Sequence, residues 1–276
     1  MKCIYRTLVL FVAVCGAVSY AHAQTASRST DTVTKSQQQS YLLKPKGPKA
    51  ITNEMSGGIE LNSNGGFLFR GANLFVNIAK VKPKDMKHSD MFYNTRLWQV
   101  EFSEVKDPKE YKTSGENGGS SNSYVYGKIN NFYALKLGRF YMRMLAGKPD
   151  PGSVSIHWLY GGGFSLGLLK PYYLNVFSDP NAIKYGDDTK QDFLNQQLIE
   201  SSAGFSKGLS EIKIIPGFHL KTGLHFDFSA NRKSVIGVEA GVTGEYYTQP
   251  VPIMANESAN SYFIGLYISA EFGKRW

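Results

Sequence analysis

Ser155 and His157 stand two residues apart, and His219, His225 and Asp227 follow later at even intervals. A hydroxyl beside an imidazole is the beginning of a nucleophilic pair, and histidines near an aspartate are the material of a metal site. Each reading carries a geometric condition. A nucleophilic pair needs a third group to orient the base and donors for an oxyanion, and the sequence offers no stretch that supplies them. His219 and His225 share one face of an extended chain, but at about 3.3 Å per residue they stand roughly 20 Å apart, too far to hold one ion. No catalytic residue, metal or cofactor is therefore expected. Many other titratable residues remain, and what they do depends on the elements that carry them.

Those elements alternate. Eight stretches place apolar residues at every second position: Met55 to Asn62, Phe67 to Ile78, Thr95 to Glu104, Asn131 to Leu145, Ser153 to Leu169, Ile212 to Phe228, Ser234 to Tyr247, and Ser261 to Trp276. In the last, Tyr262, Ile264, Leu266, Ile268, Ala270 and Phe272 form one face and Phe263, Gly265, Tyr267, Ser269, Glu271 and Gly273 the other. A period of two marks a strand between two different environments. Asn64-Gly65-Gly66 reads as a turn. The phase is unclear around Arg70-Gly71 and slips near Gly138, where a bulge would reconcile Tyr133, Leu135 and Leu137 with Phe140, Met142 and Met144 on one face.

The N-terminus sets the compartment. Lys2 and Arg6 precede an apolar run from Leu8 to Val18, and Ala21-His22-Ala23 precedes Gln24, the layout of a secretory signal peptide cleaved after Ala23. Cys3 and Cys15 leave with it, so the mature chain has no disulfide and must draw stability from a large core, a membrane or a partner. The formal charge of +9 falls to +7 once Lys2 and Arg6 are removed. An exported basic chain points to anionic lipid surfaces rather than to nucleic acid. Residues 24–54 read as a flexible polar leader and 55–276 as the folded part.

No uninterrupted apolar stretch of spanning length follows Ala23. The remaining structure able to cross a bilayer is a closed barrel, whose backbone groups all pair with neighbouring strands. Soluble sandwiches turn the apolar face inward, and membrane barrels turn it outward. The even strand number, the long strands and the aromatics near strand ends favour the membrane: Tyr124, Tyr126, Tyr172, Tyr173, Tyr246, Tyr247, Tyr262, Phe272 and Trp276, of which Tyr246, Tyr262, Phe272 and Trp276 are expected at the interface. The expected fold is an all-β, antiparallel, up-and-down transmembrane barrel of eight strands. Ala146 to Gly152 and Ser229 to Lys233 would be short inner turns, and Val105 to Lys128 and Lys170 to Glu211 long outer loops. Within the latter, Asp187 to Ser202 reads as a helix capped by Asp188 with Gln191 reaching back, Leu194 and Leu198 on one face.

Several segments carry a resemblance: KINNFYALKLG (Lys128 to Gly138), GGGFSLGLLKPYYL (Gly161 to Leu174), GEYY (Gly244 to Tyr247), PVPIMA (Pro250 to Ala255) and FIGLYISAEFGKRW (Phe263 to Trp276). The chain resembles a group of small outer-membrane β-barrel proteins of the Bacteroidota, a likeness running from about Gly57 onward. It implies an outer-membrane location in a Gram-negative envelope, and a last strand of the kind read by the barrel-assembly machinery. It brings no catalytic motif. Asp31-Thr32-Val33 matches the short pattern at which such bacteria O-glycosylate exported proteins, which makes Thr32 a candidate.

With apolar faces outward, Glu60, Glu101, Lys136, Arg139, Arg143, His157, His219, Lys221, His225, Asp227, Glu239, Glu245 and Glu271 should line the interior. An eight-stranded barrel is just wide enough for side chains to fill it, and buried charges must be paired. The expected role is a non-enzymatic structural or accessory envelope component, in contact with outer-membrane lipid and an envelope protein complex. A lipid-A-modifying barrel enzyme using Ser155 and His157, and a small channel, are the alternatives. Lys44 to Lys49 (KPKGPK) reads as a solvated linker.

Overall fold

The computed structural model describes residues 51–63, 71–83, 93–113, 123–148, 152–231 and 233–276. The signal peptide, Thr32, the basic linker, the Asn64-Gly65-Gly66 turn and the stretch from Phe67 to Arg70 lie outside these residues.

Eight long strands form a closed barrel: β1 (Asn53–Asn62), β2 (Gly71–Pro83), β3 (Tyr93–Val105), β6 (Asn130–Ala146), β7 (Ser155–Pro171), β11 (Lys213–Asp227), β12 (Ser234–Val251) and β13 (Asn260–Arg275). Short strands β4 (Lys112–Thr113), β5 (Tyr124–Val125), β8 (Tyr173–Val176), β9 (Asp179–Lys184) and β10 (Ile199–Ser202) lie in the connections between them. Around the barrel each strand pairs antiparallel with its neighbour in the chain, and β1 closes on β13. The architecture is an eight-stranded, antiparallel, up-and-down barrel. Its seam runs from Glu54 opposite Arg275 to Asn62 opposite Tyr267. Below it, the Trp276 carbonyl accepts from the Asn53 amide at 2.9 Å, and the Trp276 amide donates to the Asn53 carbonyl at 3.0 Å.

Alternation decides which way each side chain points. On β2, Asn73, Phe75, Asn77 and Ala79 are buried while Leu74, Val76 and Ile78 are exposed. The same inversion runs around the barrel, with Trp98, Val100, Phe102, Leu135, Leu137, Phe164, Leu166, Phe218, Leu220, Val238, Val242, Ile264 and Leu266 all outward. The greasy face is the outer one.

One expected irregularity is not there. The pairing of β6 runs unbroken through Gly138, from Leu137 opposite Val100 to Arg139 opposite Trp98, and its one register shift lies between Met144 and Ala146. The phase therefore never slips: Phe140 and Met142 point inward, and Arg139 and Arg143 are exposed on the outer face. Gly138 serves close packing instead. A Cβ there would sit 2.5 Å from the Phe140 ring and 2.7 Å from His219 Nε2. Its cross-strand partner Gly163 is tighter still, with a Cβ placed 2.0 Å from the Leu137 carbonyl oxygen.

The connections from β3 to β6 and from β7 to β11 emerge at one end, opposite the Asn53–Trp276 end. There β8, β9 and β10 make a small sheet in the order β10-β8-β9. The helix expected over Asp187 to Ser202 shrinks to α1 (Lys190–Leu194), begun at Thr189 with no side-chain cap, and the chain then enters β10. Asp188 does not cap it, and the residue it buries is Phe193 rather than Leu194 or Leu198. Phe193 joins Tyr124, Leu174, Val176, Ile183 and Ile199 in a core of the loops' own. Tyr124 and Tyr172 belong to this loop packing and Tyr247 to the barrel interior, not to an outer girdle. Beside it, Glu211 accepts from Lys184 and from the Tyr173 hydroxyl, and the Lys184 bond holds its carboxyl below the usual range.

Gly163→Val has no room to fold into this wall. The variant is expected to lose the compact, heat-modifiable gel species that the parent chain forms after refolding in detergent.

Candidate functional site

The barrel interior is where the chain concentrates its chemistry. Seen from the loop end it is layered. First comes an apolar cluster of Val105, Phe132, Leu169, Ile215, Tyr247, Val251 and Ile253, in which the Phe132 and Tyr247 rings meet edge to face at 4.8 Å. Beyond it lies a network of buried ions.

Two lysines organise that network. Lys136 on β6 reaches Glu101 at 3.0 Å and Glu245 at 2.5 Å. Lys221 on β11 reaches Glu60 at 2.5 Å and Glu239 at 3.5 Å, and its ammonium lies 4.3 Å from the centre of the Tyr267 ring. Asn73 ties the two groups together, donating to Glu60 at 2.9 Å and to Glu101 at 3.0 Å. The Tyr267 hydroxyl donates to Glu239 at 2.6 Å, and the Tyr247 hydroxyl to Glu245 at 2.7 Å. A buried ion is tolerable only with such partners, because an uncompensated one costs several kcal/mol, about 3–5 when a partner is deleted.

Towards the terminus end, His225 stands between Glu239 and Glu271, with nitrogen–oxygen separations of 3.6 and 3.5 Å. Glu271 also accepts from Ser56 at 3.2 Å and Asn77 at 3.0 Å, and Asn77 in turn accepts from Gln99. Last comes a cluster in which Arg275 binds Glu54 at 2.5 Å and Asp227 at 2.8 Å, while Lys148 binds Asp227 at 3.0 Å. His219 is separate from His225, sharing a 3.0 Å hydrogen bond with Ser165. Ser155 and His157 are both buried in the interior, the His157 ring 6.0 Å from that of His225. No group of histidine, cysteine and carboxylate suited to a metal ion occurs among the described residues.

The interior thus holds Glu60, Glu101, Lys136, His157, His219, Lys221, His225, Asp227, Glu239, Glu245 and Glu271. Arg139 and Arg143 are the corrections: with the strand in one phase they face out, and the Arg139 guanidinium lies 5.7 Å from the Trp98 ring and 5.6 Å from that of Tyr141. Their departure leaves the inward carboxylates in excess of the inward lysines and arginines. Asn73, Asn77, Gln99, Tyr267, Glu54, Lys148 and Arg275 also belong to the network. Alternation carried along the whole of β1, β2, β3 and β13 finds all of these except Lys148, which follows a strand. Tyr246, Tyr262, Phe272 and Trp276 are all exposed on the outer surface.

A closed eight-stranded barrel, apolar outside and filled with ion pairs inside, is the class these observations define. Among solved structures, the chain is similar to the N-terminal β-barrel domain of OprF from Pseudomonas aeruginosa, at 9% identity and a TM-score of 0.35 over 81% of this chain and 98% of that one. It is similar to the outer membrane enzyme PagL, at 12% and 0.33 over 79% and 97%, and to Neisserial surface protein A, at 9% and 0.35 over 83% and 98%. No family model and no curated protein matches the chain. The barrel architecture rests on its own strand pairing.

Lys221→Met would leave Glu60 and Glu239 without their cation. Its expected effect is a loss of about 3–5 kcal/mol, read from the shift in urea midpoint of the detergent-folded protein, and Lys221→Met with Glu60→Gln should recover part of that loss.

Proposed function

We propose that the protein is an integral outer-membrane barrel with a structural or accessory, non-enzymatic role in the cell envelope, of the kind found in the Bacteroidota. The observation that carries this reading is the two-sided polarity. Apolar side chains cover the outside of every barrel strand, while lysines, glutamates and histidines are buried within. In water such an exterior would be an apolar patch far beyond what a monomeric protein exposes. In hydrocarbon it is the stable arrangement, and in the closed ladder every barrel strand is paired on both sides.

The interior supports the non-enzymatic part of the reading. Apolar side chains and ion pairs occupy it from mouth to mouth, which disfavours a channel. Ser155 and His157 are walled inside, where a lipid chain lying against the outer surface could not reach them. The loop end offers a different kind of surface, since its small sheet has a core of its own and can keep a shape for an envelope partner.

The test is fractionation of cells expressing the full chain. The protein is expected in the outer-membrane fraction, resistant to alkaline extraction and heat-modifiable in gels, without conductance in planar bilayers and without altered lipid A in a deletion strain. A mature chain that purifies as a soluble monomer without detergent would overturn the proposal.

A further inference from the structure

On one side of the barrel the polarity is reversed. Near the terminus end of β2, β3, β6 and β7 the inward residues are Ala79, Leu97, Phe140, Met142 and Leu159, which pack as a dry cluster. The outward residues of the same wall include Lys80, Lys82, Arg96 and Arg139. Elsewhere the outer face carries little charge: on β11 and β12 the outward positions carry none, β7 has Lys170 at its loop end, covered by the Phe205 ring, β13 has Lys274, and Glu104, near the loop end of β3, is an outward carboxylate. Lys80, Lys82, Arg96 and Arg139 gather on the neighbouring strands β2, β3 and β6 instead of being spread as a ring.

They also line a groove. A cavity of about 740 Å³ on the outer wall is bounded by Lys80, Lys82, Arg96, Arg139, Trp98 and Trp276. Lys80 and Arg96 are direct cross-strand partners, so two like charges face each other where opposite charges would stabilise the pair. Glu54 also borders the groove, but its side chain points inward and is bound to Arg275. Arg96 rests 5.7 Å from the Tyr141 ring, and Arg139 on the Trp98 and Tyr141 rings. Aromatic faces hold these guanidiniums in place without neutralising them.

We infer that this groove binds the phosphate headgroup of an anionic phospholipid from the leaflet at the terminus end. The inference rests on the membrane reading above and adds a site to it. Arginine or lysine facing lipid costs about 2–4 kcal/mol at the bilayer midplane and about 0–1 at its edge. Cations on long stems can lift their heads to the edge, and Trp98 and Trp276 are of the type that sits at headgroup depth. A phosphodiester between Lys80 and Arg96 would relieve their repulsion, and Arg139 would add a planar two-pronged donor. The acyl chains would then lie along the apolar strip of Ile78, Val76 and Val100.

The test uses the full-length mature protein folded in detergent and read by native mass spectrometry, titrated with phosphatidylglycerol, phosphatidylcholine or inorganic phosphate. The parent is expected to keep one phosphatidylglycerol in preference to phosphatidylcholine. Lys80→Gln with Arg96→Gln should weaken that adduct about thirtyfold, taking each cation near an anionic headgroup at its usual strength. Lys274→Gln, at the same end but outside the groove, should leave it unchanged. Equal binding of the two lipids by a protein that is folded and heat-modifiable, or equal weakening by Lys274→Gln, overturns the site while leaving the barrel reading intact. Displacement of the lipid by millimolar phosphate would show a free-anion site and overturn the lipid assignment. A chain that does not fold in detergent overturns the membrane reading and the site together.

Discussion

Charge neutralisation in a space closed to bulk water is the constraint on which the interior depends. Each acid there was placed by alternation alone, since the inward position of a strand is inward whatever residue occupies it. What makes the arrangement stable is that three of the cations each serve two carboxylates: Lys136 between Glu101 and Glu245, Lys221 between Glu60 and Glu239, Arg275 between Glu54 and Asp227. Neutral donors do the remaining work. Asn73, Asn77, Tyr247 and Tyr267 each donate a hydrogen bond to a carboxylate that has to share its cation, and hydrogen bonds to ionised groups are the stronger kind.

That economy explains the layering. The network's cations occupy the middle and the terminus end, and the loop end of the interior is closed by aromatic and aliphatic packing. The glycines of β6 and β7 let the wall come close enough for His219 and Phe140 to fill the space beside them. The reversed wall fits the same logic, because a barrel short of internal cations nonetheless carries Lys80, Lys82, Arg96 and Arg139 outside. Cations in those positions answer to something beyond the barrel, not to the acids within it.

Much of this was legible in the residues. A period of two is a property of the extended backbone, so strand existence, strand number and the facing of Glu101, Lys221, His225 and Glu239 could be read directly. At Gly138 hydrophobicity is a poor guide to phase. Phe140 and Met142 look like lipid-facing residues, and Arg139 and Arg143 like interior ones, but unbroken backbone pairing fixes the phase regardless. The helix in the long loop failed for a different reason. Its four-residue spacing of leucines was real, yet the loop's tertiary core claimed Phe193 and drew Ile199 to Ser202 into a sheet, and local propensity is weak against such packing. Lys148 lies beyond the end of a strand, where alternation no longer applies, so its contact with Asp227 had no signal along the chain.

The seam between β1 and β13 joins the two strands of the barrel farthest apart in the chain, with Glu54 held to Arg275 by both backbone register and side chains. Every other pairing in the barrel is between chain neighbours and can form as a hairpin, whereas this one must wait for all the rest. Until it zips, the nascent sheet has two raw edges, each a template for pairing with a stranger. Closure is thus the slow, non-local event of biogenesis, and a lesion confined to the seam would leave a nearly complete sheet that misassembles with its own kind rather than one that simply unravels.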